Sequence, residues 1–579
     1  MATTPSPLRV IPLGGIGDMG KNMTVFEQND ELLIVDCGLM FPDVDRPGVD
    51  LVIPDMTYVL ENAERVVGVV LTHGHEDHIG SLPFLLEQMP AIVWGTPLTL
   101  GLLENRLAEF RPQEGYELVA VEAGETINVG SFKIQFIRIN HSVRDGVGLA
   151  IHTEQGVVFH TGDFKFDQTP VDGVATDFQS IANVGAQDAL LLLCDCTNVE
   201  RSGMAGSERG VGQNLRRIFA ESEGRVFVTC FASHIARIEQ VFEHAHAAGR
   251  RVAVAGRSII RNIQTAQRLG MINIPPGVEI PLDVAADCLP REVAILASGS
   301  QGEPLSALTR MSTGGHKWVE IEEGDTVIIS ARAIPGNERS VLRNIDNIYR
   351  CGARVIYGNE DGVHVSGHAH REEIRLMLNL IRPKYSMPIH GDYRHLALYR
   401  DLCVEMGWKR EDVLVMEGGE VLEFNNQTFR KAGSVPYGAL NVDGLGVGDV
   451  GDVVIGDRHA LAEDGIVLPV LALDAVTGEV VGGPEIYSRG FVYMNEAEDI
   501  IEDLRDEVYA TWEKMADEGP IDPELLYARL RTTVGKRIAI LTGRRPMIVP
   551  VLIPINEPED DELDAEDEEN NLPPLSLLD

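Results

Sequence analysis

An apolar run, VVGVVLT at 66–72, ends on His73-Gly74-His75-Glu76-Asp77-His78 and passes into an apolar-periodic, helix-like segment. Three imidazoles and a carboxylate on one strand-to-helix turn constrain this chain more than any other feature. Residues i and i+2 leaving a strand point to one side, so His73 and His75 can share one ion, while Asp77 and His78 at the helix start can face a second. Further ligands are expected from other strand ends. His141 follows FKIQFIRIN, Asp163 follows VVFHTG, and His390 follows YSMPI. Asp163 is the natural bridge, because one carboxylate can hold two cations roughly 3.5–4 Å apart. Ligation by nitrogen and oxygen alone suits two divalent ions, with zinc expected and manganese or magnesium left open.

The surrounding chain has the rhythm of several domains, as 579 residues require. From 8 to 206 short β-rich runs dominate. From 207 to 367 strands alternate with helices (RVFVTCF, SHIARIEQVFEHAHAAG, RVAVAG, then EVAILAS, DTVIISA and ARVIYG), the pattern of a parallel sheet with covering helices. Residues 368–445 return to shorter elements, including a helix over 371–381 and a strand at YSMPI. A Gly/Asp-rich stretch from about 440 to 452, with 446–452 as its linker proper, leads into an α+β domain at 453–556. Apolar strands there surround one charged amphipathic helix over 496–517. The predicted fold class is therefore α/β with a small α+β domain at the end.

The net charge of -40 argues against tight, sequence-blind duplex binding. Eleven acidic residues and no Lys or Arg fall in 557–579, so this acidic tail, expected to be disordered, carries -11 and the body about -29. Two bound cations would dominate the local field wherever phosphate chemistry occurs. Seven scattered cysteines without a C-x-x-C pair predict neither a disulfide framework nor a thiolate zinc site. The N-terminal segment has no basic region followed by an apolar run, and no apolar stretch approaches membrane-span length. A cytoplasmic protein without membrane contact is expected.

H-x-H-x-D-H, then a His, then the Asp of TGD, then a His, resembles the metallo-β-lactamase superfamily. That resemblance places His73, His75, His141 and Asp163 at one metal and Asp77, His78, Asp163 and His390 at the other. The block of about 160 residues between Asp195 and His368 interrupts the metal-binding domain where the β-CASP nucleases carry their insert. On their pattern Asp195 matches the acidic motif, His368 the second motif, and His390, 22 residues later, the histidine that accompanies RNA-cleaving members. The strings LGGIGDMGKN, THGHEDHIG, FHTGDFKFDQTP, TCFASH, SGSQGEP and VSGHAH are similar to the bacterial ribonuclease J family, over about 8–555. The family more often has Glu where this chain has Asp18.

The resemblance implies a metallo-β-lactamase αββα sandwich interrupted by a β-CASP domain. It also implies a metal-dependent endonuclease and 5′-to-3′ exonuclease acting on single-stranded RNA with a preferred 5′-monophosphate. Homodimers or homotetramers and RNA-decay partners follow from it as well, and the C-terminal domain, whose apolar strands bring no basic aromatic-rich surface, is expected to serve assembly. Asp195 and His368 are the expected catalytic pair, His368 stabilising phosphoryl charge or protonating the leaving 3′ oxygen and Asp195 orienting a histidine. Small residues around His368 (Ser366, Gly367 and Ala369) suggest backbone N–H groups free for a phosphate. Phe231, Ser233 and His234, opening a predicted helix, suggest a second such place. By resemblance the 5′ end lies near there and near 298–302, with His364 in the same RNA-binding set.

Gly15-Ile-Gly17-Asp-Met-Gly20-Lys21-Asn22 satisfies G-x-G-x-x-G, but a strand-like MTVFEQ follows it and Asn22 replaces the Ser/Thr of a phosphate loop, so a tight hairpin is expected. Two rival readings stand beside the nuclease. A small-molecule hydrolase (thioesterase or lactamase) on the same scaffold would not need the insert, and a silent RNA scaffold would not need all seven ligands.

Overall fold

The computed structural model of the protein describes residues 5–43, 45–110, 112, 115–334, 336–358, 361–444, 446–491 and 498–556. The acidic tail expected at 557–579 lies outside them. Residues up to 449 form one compact unit, and those from 450 onward form a second.

Two sheets face each other in the first unit. One has eight strands, in the order Thr428–Ser434, Glu420–Asn425, Leu8–Gly14, Met23–Gln28, Glu31–Val35, Val66–Val70, Ile92–Gly95 and Glu117–Ala120. The other has six, in the order Tyr385–Ile389, Leu191–Asp195, Gly156–His160, Val147–Thr153, Phe132–Arg138 and Thr126–Val129. Phe26, Leu33 and Val70 of the first join Phe132, Phe136 and Leu149 of the second in one buried core, as stacked apolar sheet faces require. Helices cover the outer faces, among them Leu82–Gln88 and Pro97–Phe110 on one side and Arg371–Ile381 and Tyr393–Glu405 on the other.

The insert leaves and re-enters at neighbouring strands. Leu191–Asp195 pairs in parallel with Tyr385–Ile389, with Asp195 beside Ile389, although about 190 residues separate them in sequence. Between these lies an all-parallel sheet in the order Glu279–Ile280, Arg251–Ala255, Val293–Ala297, Val226–Thr229, Thr326–Ile329 and Arg354–Tyr357. Its inner strands Val226–Thr229, Val293–Ala297 and Thr326–Ile329 are buried along their whole length because helices cover both faces. The insert does not stand apart from the metal-binding half. Helices Pro97–Phe110 and Arg257–Arg268 pack so closely that a Cβ on Gly101 would lie 2.6 Å from Thr265, and Leu103 and Ile263 share one core.

Two expectations need correction. The stretch from 440 was read as linker, yet Ala439–Asp443 is a strand pairing antiparallel with Leu51–Pro54, and Gly446–Val447 folds back onto it. Val442 of this strand is buried. Among its described residues the second unit has three helices where one was expected: Asp452–Glu463, Glu498–Glu518 and Pro523–Thr542. Its sheet centres on Ile466–Asp474, whose burial alternates residue by residue. That sheet buries one face, Val467 and Leu471 among it, in a core with Leu504, Leu526 and Leu530.

Candidate metal centre

Every candidate ligand follows the C-terminal end of a strand, on the turn there or in the short helix that the turn opens. His73 and His75 leave Val66–Val70, Asp77 and His78 lie in the short helix Glu76–Ile79, His141 follows Phe132–Arg138, Asp163 follows Gly156–His160, and His390 follows Tyr385–Ile389. The fold brings all seven together around one carboxylate oxygen. Asp163 Oδ2 lies 3.5 Å from His73 Nε2 and 3.7 Å from His141 Nε2 on one side. On the other it lies 3.3 Å from His78 Nε2 and 3.5 Å from His390 Nε2. His75 Nδ1 is 3.1 Å from both His73 Nε2 and His141 Nε2, and Asp77 Oδ2 is 3.0 Å from His390 Nε2. Two four-residue sets result, His73/His75/His141/Asp163 and Asp77/His78/Asp163/His390, in each of which the donor atoms lie within 4.8 Å of one another.

The opposite edges of the rings decide which nitrogen faces inward. His78 Nδ1 is 2.8 Å from Asp36 Oδ2, which also accepts from Thr72 Oγ1. His141 Nδ1 is 2.8 Å from the carbonyl of Gly367, and His390 Nδ1 is 2.8 Å from Thr197 Oγ1. Each contact engages Nδ1 away from the centre, so Nε2 is the nitrogen that faces Asp163 and would bind a metal. His390 adopts a left-handed backbone, φ 57°, unusual for a side-chain-bearing residue and tolerated where surroundings over-determine it. Here Gly15 O accepts its N–H and Thr197 holds both its ring and its carbonyl.

Burial lowers the basicity of His73, His75 and His141, His75 to about 4 and the other two well below the usual histidine range. Burial acts the same way on His78 and His390, but Asp163 and Asp77 overcome it, lifting His78 well above that range and His390 to about 9. It also opposes the ionised forms of Asp77 and Asp163, which the surrounding imidazoles nevertheless hold below the carboxylate range. Asp163 Oδ2 is buried and, among the described residues, finds no hydrogen-bond partner. A buried anionic oxygen ringed by four imidazole nitrogens, with nitrogen and oxygen donors only, fits a pair of divalent cations.

Beside this centre His368 Nδ1 meets Asp195 Oδ2 at 2.8 Å, and its Nε2 reaches to 3.9 Å from Asp163 Oδ2. Gly367 is required where it stands, because a Cβ there would lie 2.8 Å from the His141 ring. The proposed phosphate-binding groups fare unevenly. Ser366 and His364 are half-buried, but Ala369 donates its N–H to the carbonyl of Phe164 at 2.6 Å, so it is not free for a phosphate as expected. The His368 N–H is likewise taken by Ser366 Oγ, at 3.1 Å. His234 caps the helix Ile235–Ala247 with its ring buried 3.2 Å from Glu208, while Phe231 and Ser233 remain half-buried on the preceding turn.

Sequence reasoning missed Asp36, Thr197 and Asn22. Asn22 lies in the glycine-rich hairpin and donates through Nδ2 to the carbonyl of Asp77 at 3.0 Å, with Nδ2 3.1 Å from His78 Nε2. Asp36 carries the signal used for Asp163, a carboxylate ending an apolar strand. Thr197 carries none.

Comparison with known proteins agrees along most of the chain. Residues 35–198 match the beta-lactamase superfamily domain, 223–348 the ribonuclease J beta-CASP domain, 352–413 the Zn-dependent metallo-hydrolase RNA specificity domain, and 453–555 the ribonuclease J C-terminal domain. Ribonuclease J2 of Bacillus subtilis is 40% identical over 95% of this chain and 99% of its own length. Ribonuclease J of Thermus thermophilus is 42% identical over 94% and 95%. A crystal structure of an Enterococcus faecalis protein of unknown function has the same fold at 16% identity, with a TM-score of 0.51 over 72% of this chain and all of that one. With its domains matched in order and its relatives aligned nearly end to end, the chain belongs to the ribonuclease J family.

Proposed function

We propose that this protein is a two-metal ribonuclease that hydrolyses RNA phosphodiester bonds, as an endonuclease and a 5′-to-3′ exonuclease in RNA maturation and decay. The observation that carries the proposal is Asp163 Oδ2, buried within 4 Å of His73, His78, His141 and His390 and without a hydrogen-bond partner among the described residues. His73, His75, His141 and Asp163 would hold one ion and Asp77, His78, Asp163 and His390 the other, zinc being the metal we expect. When bound, two such ions supply the positive charge that makes water a competent nucleophile near neutral pH and offsets charge on the phosphoryl oxygens.

The chain's own groups do the rest. Burial disfavours a charged His368, but Asp195 and Asp163 outweigh it and keep the ring protonated to higher pH than an ordinary histidine. Asp195 holds the Nδ1 proton and the ring plane, leaving the Nε2 proton for the leaving 3′ oxygen. The half-buried turns at 231–233 and 364–366 are suited to a 5′-monophosphate on single-stranded RNA. Homodimers or homotetramers and a cytoplasmic address complete the reading. No helix among the described residues is long and apolar enough to cross a membrane.

Incubating the purified protein with end-labelled 5′-monophosphorylated RNA, with a thioester and with a β-lactam tests the substrate class. RNA cleavage, with mononucleotides released from the 5′ end, is expected. Hydrolysis of the thioester or lactam with intact RNA would replace the proposal with a small-molecule hydrolase.

A further inference from the structure

Four charged side chains are buried together where the chain leaves the metal-binding half and where it returns. Lys165 and Asp167 follow Asp163 by two and four residues, Glu208 opens the helix Glu208–Glu221, and Arg237 lies in the helix Ile235–Ala247. None is more than 4% exposed. Two cations and two anions make the cluster neutral, but neutrality does not explain it. Well-packed apolar residues commonly replace a buried ion pair at no cost in stability.

The geometry of Arg237 shows what the cluster grips. Its Nε and Nη2 both donate to Glu208 Oε2, at 3.2 and 2.5 Å. Its Nη1 donates to the carbonyls of Ser330 and Val363, each at 3.1 Å, and to Ser330 Oγ. Ser330 Oγ in turn donates to the carbonyl of Val363 at 2.6 Å. Glu208 is tied to the segment after Asp163, its N–H donating to Asp167 Oδ2 at 3.0 Å and its carboxylate lying 3.6 Å from Lys165 Nζ. Burial alone would push the Glu208 carboxyl up, but Arg237, His234 and Lys165 hold it well below its usual range, so it stays an anion.

Val363 stands five residues before His368. The far end of that segment is held by the metal-binding half, through Asn198 to Ser366 Oγ at 2.8 Å and through His141 to the carbonyl of Gly367. The near end is held by Arg237 and Ser330 of the insert. We infer that Glu208 and Arg237 are a positioning pair that sets the 363–368 segment, and with it His368, against the segment carrying Asp163. This rests on the ribonuclease reading above. The pair touches no reacting atom and acts through the backbone that carries His368.

The test uses the full-length, metal-loaded protein carrying Glu208→Gln together with Arg237→Met, which removes both charges so that neither is left buried alone. RNA turnover is compared with hydrolysis of bis(p-nitrophenyl) phosphate, whose leaving group departs without a proton donor, and metal content is measured on the same sample. The expected result is an RNA kcat lower by at least about tenfold with KM changed by less than about threefold, the small ester and the metal content staying near wild type. RNA kcat unchanged, or RNA and ester turnover falling together with metal content, would overturn the inference. Should the double variant not fold, Arg237→Lys carries the same test. It keeps a charge beside Glu208 but lacks the forked reach to Val363, and an RNA kcat equal to wild type would overturn the inference. A wild-type protein that hydrolyses the small ester but not RNA would instead sink the ribonuclease reading.

Discussion

Asp145 is buried at the start of the helix Pro97–Phe110, one carboxylate oxygen accepting from the N–H of Leu98 at 2.8 Å and the other without a partner among the described residues. Burial pushes its carboxyl up to about 7, more than the bond to Leu98 pulls it down. An unfolded aspartate titrates near 3.9, so between about pH 4 and pH 7 the folded chain holds a proton that the unfolded chain has released. Stability contributed by this site is therefore present below that window and falls as pH rises through it. Asp145→Asn keeps an acceptor for Leu98 and removes the charge. Its stability advantage should be small near pH 4 and grow to about 4 kcal/mol above pH 7. Urea unfolding of both proteins near pH 5 and near pH 8 checks this, and an equal difference at the two pH values would refute it. The seven residues of the metal cluster were legible by their shared placement, four on one strand-to-helix turn and three each following an apolar strand, rather than one by one. Thr197 and Asn22 were not, because they matter through what the fold places against them, His390 and the backbone of Asp77, whereas Asp36, which braces His78, carried the same strand-end signal and was overlooked.

At the scale of elements, the turn carrying His75, Asp77 and His78 is braced by its neighbour. Cys37 donates its N–H to the carbonyl of His78 at 2.7 Å and Leu39 to that of Glu76 at 3.0 Å. Gly38 between them lies so close that a Cβ would fall 1.6 Å from the carbonyl oxygen of Asp77. Gly38→Ala should thus force the two turns apart, costing on the order of 1–3 kcal/mol or more and weakening metal retention. Thermal unfolding and metal content after dialysis measure both, and wild-type values of each would contradict the close approach. Strands of the sandwich were readable because their apolar runs are long, and Met23–Gln28 and Tyr385–Ile389 have the limits their patterns predicted. The helix Pro523–Thr542 was missed although Asp522 caps it, a proline opens it and Gly543 closes it. Its buried Leu526, Leu530, Val534 and Ile538 recur every four residues, a narrower stripe than the charged surface around it.

Across the whole molecule, the metal cluster and the insert lie within the unit that ends at 449, and the second unit has its own core of Leu471, Leu504, Leu530 and their neighbours. A chain ending at 449 should therefore still bind metal. If the second unit serves assembly, that chain should have a lower oligomer size, which light scattering measures; an unchanged number of subunits would refute the assembly role. That Asp195 and His390 would meet could not be read from spacing alone. The meeting depends on Leu191–Asp195 and Tyr385–Ile389 pairing across the insert, a contact that only the family resemblance anticipated.

If Asp163 joins two metal sites that hydrolyse RNA, metal content and RNA turnover should fall together in Asp163→Ala, both measured on one sample beside wild type. Wild type should hold close to two divalent ions per subunit, and the variant should lose most of its metal and turn RNA over at least about a thousandfold more slowly. A variant that keeps its metal, or that cleaves RNA at the wild-type rate, would contradict this role of Asp163.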